Sequence, residues 1–156
     1  MMAPQDDTGG GGPPLDGVEL TRWRSEAGVA LEGAHRDRSA DSHAQACFRA
    51  EQAAQLAVKG LLRGVGSTAW GHDLVVLSER LRDAVGIELW PETLDGLARR
   101  LSLHYTTSRY PDTFPEGTPS QHYGPELSDQ AIADSLAVVA AVDRAWEQLI
   151  LAGDEE

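Results

Sequence analysis

The chain has 156 residues, 41% of them apolar, a single cysteine and a formal charge of −12. That length suits one domain that buries a continuous core without a metal, and the lone Cys47 excludes an intramolecular disulfide and reads as core filling. With one lysine, Lys59, and a strong acidic excess, the composition excludes a general nucleic-acid binder, which needs clustered basic residues against the phosphates.

The charge is uneven. Between Arg22 and Arg109 stand 12 basic and 11 acidic residues, whereas the remainder holds 1 basic and 14 acidic ones, so the acidity belongs to the two ends. A local basic patch on the middle helices is therefore compatible with the net charge. No apolar run is long enough for a signal peptide or a membrane span, and the expected location is the cytoplasm.

Residues 1–16, with the Gly9 to Gly12 run and Pro13 and Pro14, cannot bury enough apolar surface to offset their ordering entropy and read as a disordered tail. A helical bundle is expected over 17–152, followed by an acidic end at 153–156. A first helix runs from about Val18 to about His35, because Trp23, Ala27, Ala30, Leu31 and Ala34 recur at three and four residues. A polar turn through Asp37, Ser39 and Asp41 leads to a second helix with the stripe Cys47, Phe48, Ala54, Val58, Leu61, Leu62 and Val65, and Gly64 and Gly66 mark its end. In the third, Leu74, Leu77, Leu81 and Val85 follow Asp73 as N-cap, and Gly86 is the stop. Pro91 suits the first position of a fourth helix carrying Leu94, Leu97, Ala98, Leu101 and Tyr105, which Pro111 closes. After the proline-rich loop Tyr110 to Pro125, a last helix begins near Ser128 as N-cap. Leu127 and Ile132 form its staple, and its stripe is Ile132, Leu136, Val139, Trp146 and Leu149. Frequent alanine and leucine, few aromatic residues and short connections imply an all-α, up-and-down bundle of four to five helices.

Three segments stand out: Ala46-Cys47-Phe48 with Gln52-Ala53, Lys59 and Leu61-Leu62; then Gly71-His72-Asp73-Leu74; then Tyr105 with Ser108-Arg109-Tyr110-Pro111-Asp112. In this order and spacing they resemble the HEPN family, in its branch with GHDL and SRYPD motifs, over roughly Trp23 to Leu149. The resemblance implies a four- or five-helix bundle, usually a homodimer, often encoded beside a minimal nucleotidyltransferase in a toxin–antitoxin-like pairing. Some relatives are RNA-cleaving toxins, and others look like nucleotide-binding or scaffolding modules.

At about 100° per residue, Gln45, Gln52, Lys59 and Arg63 share one flank of the second helix, either a polar site or a solvated face. Gln52, Lys59, Arg109, Tyr110 and Asp112 form the candidate ligand-binding set. Arg109 either grips a phosphate through its planar fork or satisfies the last helix carbonyls and pairs with Asp112. Glu51 and Gln55 fall on the apolar stripe, where an unpaired carboxylate is costly, so Glu51 is expected to meet an arginine or a subunit contact. His72 is expected to hold a turn. Phe114, His122 and Tyr123 either stack on a base or plug the open end of the bundle.

Arg99 and His104 match the arginine, four-residue gap and histidine of the family's ribonucleases, which implies metal-independent cleavage of RNA. Such a histidine moves the 2′-hydroxyl proton, and such an arginine stabilises charge on phosphorus. A five-residue step leaves the two about 140° apart on a helix, so this chemistry requires a dimer that joins two copies of the fourth helix. The sequence departs from the toxin pattern at the aromatic residue two positions after the histidine, since Tyr105 follows directly and Thr106 takes that place. No Cys/His cluster, HExxH or glycine-rich phosphate loop is present, and no metal or cofactor is expected. Three readings follow. One is a dimeric nucleotide-, RNA- or partner-binding module whose acidic ends could dock on a basic partner. The others are a ribonuclease built on Arg99 and His104, and a purely structural dimer.

Overall fold

The computed structural model describes residues 14–155, so residues 1–13 of the expected tail, and Glu156 of the expected acidic end, lie outside the described residues. Regular structure within it is helical: α1 (Gly17–Ser39), α2 (His43–Gly64), α3 (Leu74–Val85), α4 (Asp95–Thr107), α5 (Pro119–His122) and α6 (Pro125–Asp154). Short 3-10 turns stand at Glu92–Leu94 and Pro111–Thr113. The all-α expectation holds, with five long helices and the single turn α5. No helix among the described residues is long and apolar enough to cross a membrane.

The bundle is arranged around α2, which packs against α1, α3, α4 and α6. Its sequence explains the position: Ala44, Ala46, Ala50, Ala53, Ala54 and Ala57 are all buried, and such small side chains let neighbouring backbones come close. Gly60 is a tight point against α1, where an added Cβ would lie 2.8 Å from the Trp23 Cβ. Cys47 fills core space as expected, and burial pushes its thiol up to about 12.

Several boundaries differ from the sequence pattern for local reasons. Helix α1 continues past His35 to Ser39 and turns at Asp41, whose φ of 59° is left-handed. Asp16 caps α1 by accepting from the Glu19 N–H, while its own N–H donates to the Gly64 carbonyl at 2.7 Å. Asp73 caps α3 as expected, and Gly86 ends it at φ 96°. Pro91 does not open α4. Trp90, which carries no helical spacing and was not expected in the core, is buried and donates to the Ser78 hydroxyl at 2.7 Å. Arg82 ties the same connection by donating to the carbonyls of Trp90 and Pro91 and to Asp95, so that α4 starts only at Asp95.

Helix α6 starts at Pro125 after Gly124, three residues before the expected cap, because a proline at the first helical position gives up no needed N–H. Ser128 is consequently buried in the first turn, donating to the Pro125 carbonyl and bonded to His43 Nδ1 at 2.9 Å. Leu127 is 42% exposed and forms no staple with the buried Ile132. Leu136 is also exposed, and the buried stripe runs instead through Ile132, Val138, Val139, Val142 and Ala145. Three ion pairs bind α6 to its neighbours: Arg24–Asp143, Arg38–Asp129 and Arg100–Asp134. Part of the acidity expected to face a partner is thus neutralised within the chain. The segment after Tyr110 plugs the bundle: Phe114 packs on the core and stacks on His122 at 4.2 Å between ring centres, and Tyr123 is buried.

Replacing Gly60 by valine should place side-chain atoms into Trp23 and the Leu20 carbonyl. Overpacking of this kind costs about 1–3 kcal/mol and outweighs the roughly 1 kcal/mol or less that leaving glycine gains in a helix. Urea denaturation should show a lower midpoint for Gly60→Val, and an unchanged midpoint would contradict the close packing of α1 on α2.

Candidate functional site

The three motif segments meet where the middle of α2, the loop before α3 and the end of α4 come together. Gly71 adopts φ 103°, a conformation that favours glycine, and so delivers His72 and Asp73 to the start of α3. The His72 ring stacks on Tyr105 with centroids 5.2 Å apart and planes 13° from parallel. Phe48 of α2 lies on the other side of the junction, 6.5 Å from Tyr105 and tilted.

Glu51 is fully buried at this junction. Of the two partners expected for it, an arginine or a subunit contact, it meets no arginine directly, because Arg109 is engaged elsewhere. Two amides replace it: Gln52 donates to the carboxylate at 2.8 Å, and Gln55 makes a short hydrogen bond to its other oxygen. The second N–H of Gln55 donates to the His72 carbonyl at 3.0 Å, which ties the GHDL turn to α2. Burial pushes the Glu51 carboxyl up to about 7, against the opposing pull of Gln55, Gln52, Arg109 and Lys59. Lys59, half-buried on the same helix, has its pKa lowered by its own burial, with Glu51 acting in the opposite direction.

Arg109 is held by packing and by the helix end. Its Nε donates to the Tyr105 carbonyl at 2.8 Å, as does Nη2, and its guanidinium lies 4.4 Å from the Phe48 ring, 4.7 Å from Tyr105 and 5.0 Å from Tyr110. The capping role expected of it is present, whereas a pairing with Asp112 is absent; Asp112 is exposed in the following 3-10 turn. Of the flank read from helical spacing, Gln52 and Lys59 adjoin Glu51, Gln45 is exposed, and Arg63 lies 5.0 Å over the Trp23 ring of α1.

Arg99 and His104 do not meet within one chain. Arg99 is exposed and makes no hydrogen bond or ion pair among the described residues, while His104 is half-buried with Nδ1 2.8 Å from the Tyr123 hydroxyl. Burial lowers the pKa of His104, and nearby Asp134 opposes that shift. Asp134, itself buried, takes Arg100 through two bonds of 2.9 and 3.0 Å and the Gln130 amide at 2.9 Å. Sequence spacing alone gave no sign of Asp134, since a buried aspartate on α6 becomes legible only once α4 is packed beside it.

The HEPN domain family model matches residues 20–145. This chain belongs to the HEPN family. Among curated proteins none matches it. Among solved structures, TT1696 from Thermus thermophilus shares 32% identity with this HEPN domain at a TM-score of 0.76, over 81% of this chain and 98% of its own. ST0689, an archaeal HEPN homologue, shares 31% identity at 0.66, over 80% of this chain and 94% of its own. An HEPN domain protein from Thermotoga maritima, TM0613, has 24% identity and a TM-score of 0.64 over 81% and 98% of the two chains, a likeness of fold. The matched span contains all three motif segments and both Arg99 and His104.

The raised carboxyl of Glu51 gives the HEPN domain a pH dependence of definite sign. Its folded pKa of about 7 exceeds the ordinary 4.5, so the folded state keeps a proton that the unfolded chain has lost, and stability falls as pH rises from about 4.5 to about 7. That interval corresponds to a loss of ~3 kcal/mol. In Glu51→Gln, Gln52 can turn its amide oxygen towards the new side chain and the charge is gone. By urea denaturation this variant should match the wild type near pH 5 and exceed it near pH 8. Parallel pH profiles would show that burial of the carboxylate carries no such cost.

Proposed function

We propose that this HEPN domain is a homodimeric binding module for a phosphate-bearing nucleotide, free or at the end of an RNA, and that it works in the cytoplasm beside a nucleotidyltransferase in a toxin–antitoxin-like pair. The observation that carries the ligand reading is the held guanidinium of Arg109 at the meeting point of the three motifs. Two of its nitrogens are taken by one carbonyl, and Nη1 has no acceptor among the described residues. An arginine fixed by three rings has little entropy left to lose on gripping a phosphate. Tyr110, 48% exposed, offers a ring face for a base, Lys59 and Gln52 extend the polar flank, and Asp112 is free to accept from a sugar hydroxyl. A Glu51 carboxyl that is half-protonated near neutrality spares the site a full negative charge. The nucleotidyltransferase partnership rests on the GHDL and SRYPD resemblance.

A second reading, a metal-independent ribonuclease, is favoured by the state of α4. Arg99 is unpaired and the Nε2 of His104 has no partner among the described residues. Arg99, Leu103 and Thr106 share an exposed face of α4, with Leu103 66% exposed, which suits contact with α4 of a second copy. Across such a contact His104 would accept the 2′-hydroxyl proton as that oxygen bonds to phosphorus, the bond from phosphorus to the 5′-oxygen breaks, and the leaving oxygen takes a proton from water. Arg99 of the second copy would meet the charge on the phosphate oxygens.

Two experiments separate the readings. In isothermal titration of the purified protein with ATP and with a 5′-phosphorylated oligonucleotide, Tyr110→Ala should weaken binding about fivefold or more, the range expected for loss of one stacked base. Absence of binding to folded wild-type protein would remove the first reading. For the second, total RNA incubated in EDTA should be cut by the wild type and by Tyr110→Ala but not by His104→Ala of matched melting temperature; equal cutting by His104→Ala would rule out His104 as its proton acceptor.

A further inference from the structure

We infer that Tyr123 and Thr107 are positioning residues that lock His104 as its Nδ1–H tautomer and leave the Nε2 lone pair free to accept a proton. The tautomer follows from counting hydrogens along a chain of three bonds. The Thr107 hydroxyl lies against the Leu103 carbonyl, and a carbonyl only accepts, so the single proton of Thr107 goes there. Thr107 can then offer only a lone pair to the Tyr123 hydroxyl 2.8 Å away, which makes Tyr123 the donor in that contact. With its proton committed there, the Tyr123 oxygen can only accept from His104 Nδ1, also at 2.8 Å. Nδ1 therefore carries the hydrogen, and a neutral imidazole has just one to carry.

The arrangement is built rather than incidental. Tyr123 is 8% exposed and meets His104 edge-on, with centroids 5.4 Å apart and planes at 63°, so the hydroxyl that faces Nδ1 is fixed by the core. The other charged groups at this side are Asp134, which is already engaged by Arg100 and Gln130, and Arg100 itself. Burial lowers the pKa of the imidazole and so favours its neutral form, and the Nδ1–H form is the opposite of the one free histidine favours in water. The lock supplies a reason for the buried tyrosine at the end of the proline-rich segment: it connects the plug of the bundle to the one histidine on α4. Its chemical use rests on the ribonuclease reading, in which Nε2 takes the 2′-hydroxyl proton; the tautomer does not.

The test is a long-range nitrogen–proton correlation spectrum of the full chain labelled with 15N, with the His104 signals assigned by their loss in His104→Gln. Wild type should show a protonated Nδ1 and a bare Nε2. Thr107→Val removes the acceptor of the Tyr123 proton, which then turns to Nδ1 and drives the ring to the Nε2–H form, and Thr107→Ser should restore the original tautomer. A merely structural threonine would leave the tautomer unmoved. An Nε2–H wild type, or a Thr107→Val variant that keeps Nδ1–H, overturns the inference. If the wild type cleaves RNA, Thr107→Val should slow cleavage about tenfold or more and Thr107→Ser should recover it. If the tautomers behave as stated and no protein cleaves RNA, the lock stands and the ribonuclease reading falls.

Discussion

A carboxylate buried in the middle of α2 is the constraint on which the rest of the molecule turns. An uncompensated carboxylate there would cost several kcal/mol, and the two glutamine amides offset only part of that, so burial still pushes the Glu51 carboxyl up to about 7. The offset has a structural consequence. Gln55 can serve Glu51 only with one N–H, and the other fastens the His72 carbonyl. His72 in turn stacks on Tyr105, whose carbonyl receives Arg109. One buried acid thus organises a path from the central helix through the GHDL turn to the end of α4, and the three motifs are three stretches of that path.

Much of the helical frame was legible because its cause is local. Asp73 and Gly86 bracket α3 through a side-chain cap and a left-handed backbone, and both are written in the residues themselves. The α2 stripe was equally plain. What escaped sequence reasoning depended on contacts between segments. Trp90 enters the core from a connection with no period, and Ser128 looked like a cap until Pro125 supplied an earlier start. Glu51 was recognised as anomalous on an apolar stripe, but the partners it found were its own neighbours Gln52 and Gln55 rather than a distant arginine. The candidate site divides in the same way. Gln52, Lys59, Arg109 and Tyr110 were read from motif order, and Glu51 of α2 lies near both Lys59 and Arg109, while the hold on His104 by Tyr123 joins residues 19 apart and was not legible, although Tyr123 itself was expected to plug the bundle or stack on a base.

Helix α4 carries two chemically distinct faces. Its C-terminal end presents Arg109 with Tyr110 beside the acid of α2, an environment suited to recognition: a fixed cation, exposed ring surface and a near-neutral buried acid. One turn earlier, His104 faces α5 and α6, held by a hydroxyl and flanked by the Arg100–Asp134 pair, an environment suited to moving a proton. The distinction matters because Arg109, Tyr110, Gln52 and Lys59 are placed by one chain, whereas Arg99 lies about 140° from His104, so that the ribonuclease reading calls for a second copy. A binding module and a ribonuclease therefore make different demands on the same fold, and the exposed Leu103 lies on the face that a second copy would have to cover.

If the meeting of α2, the GHDL turn and the end of α4 is where the HEPN domain takes its ligand, nucleotide must be felt there first. Backbone amide shifts of 15N-labelled protein titrated with ATP test this most directly. The perturbed residues are predicted to cluster at Gln52, Lys59, His72, Arg109 and Tyr110. Shifts confined to the packing of α1 on α2 around Trp23 and Arg63, or none at saturating nucleotide, would contradict that assignment.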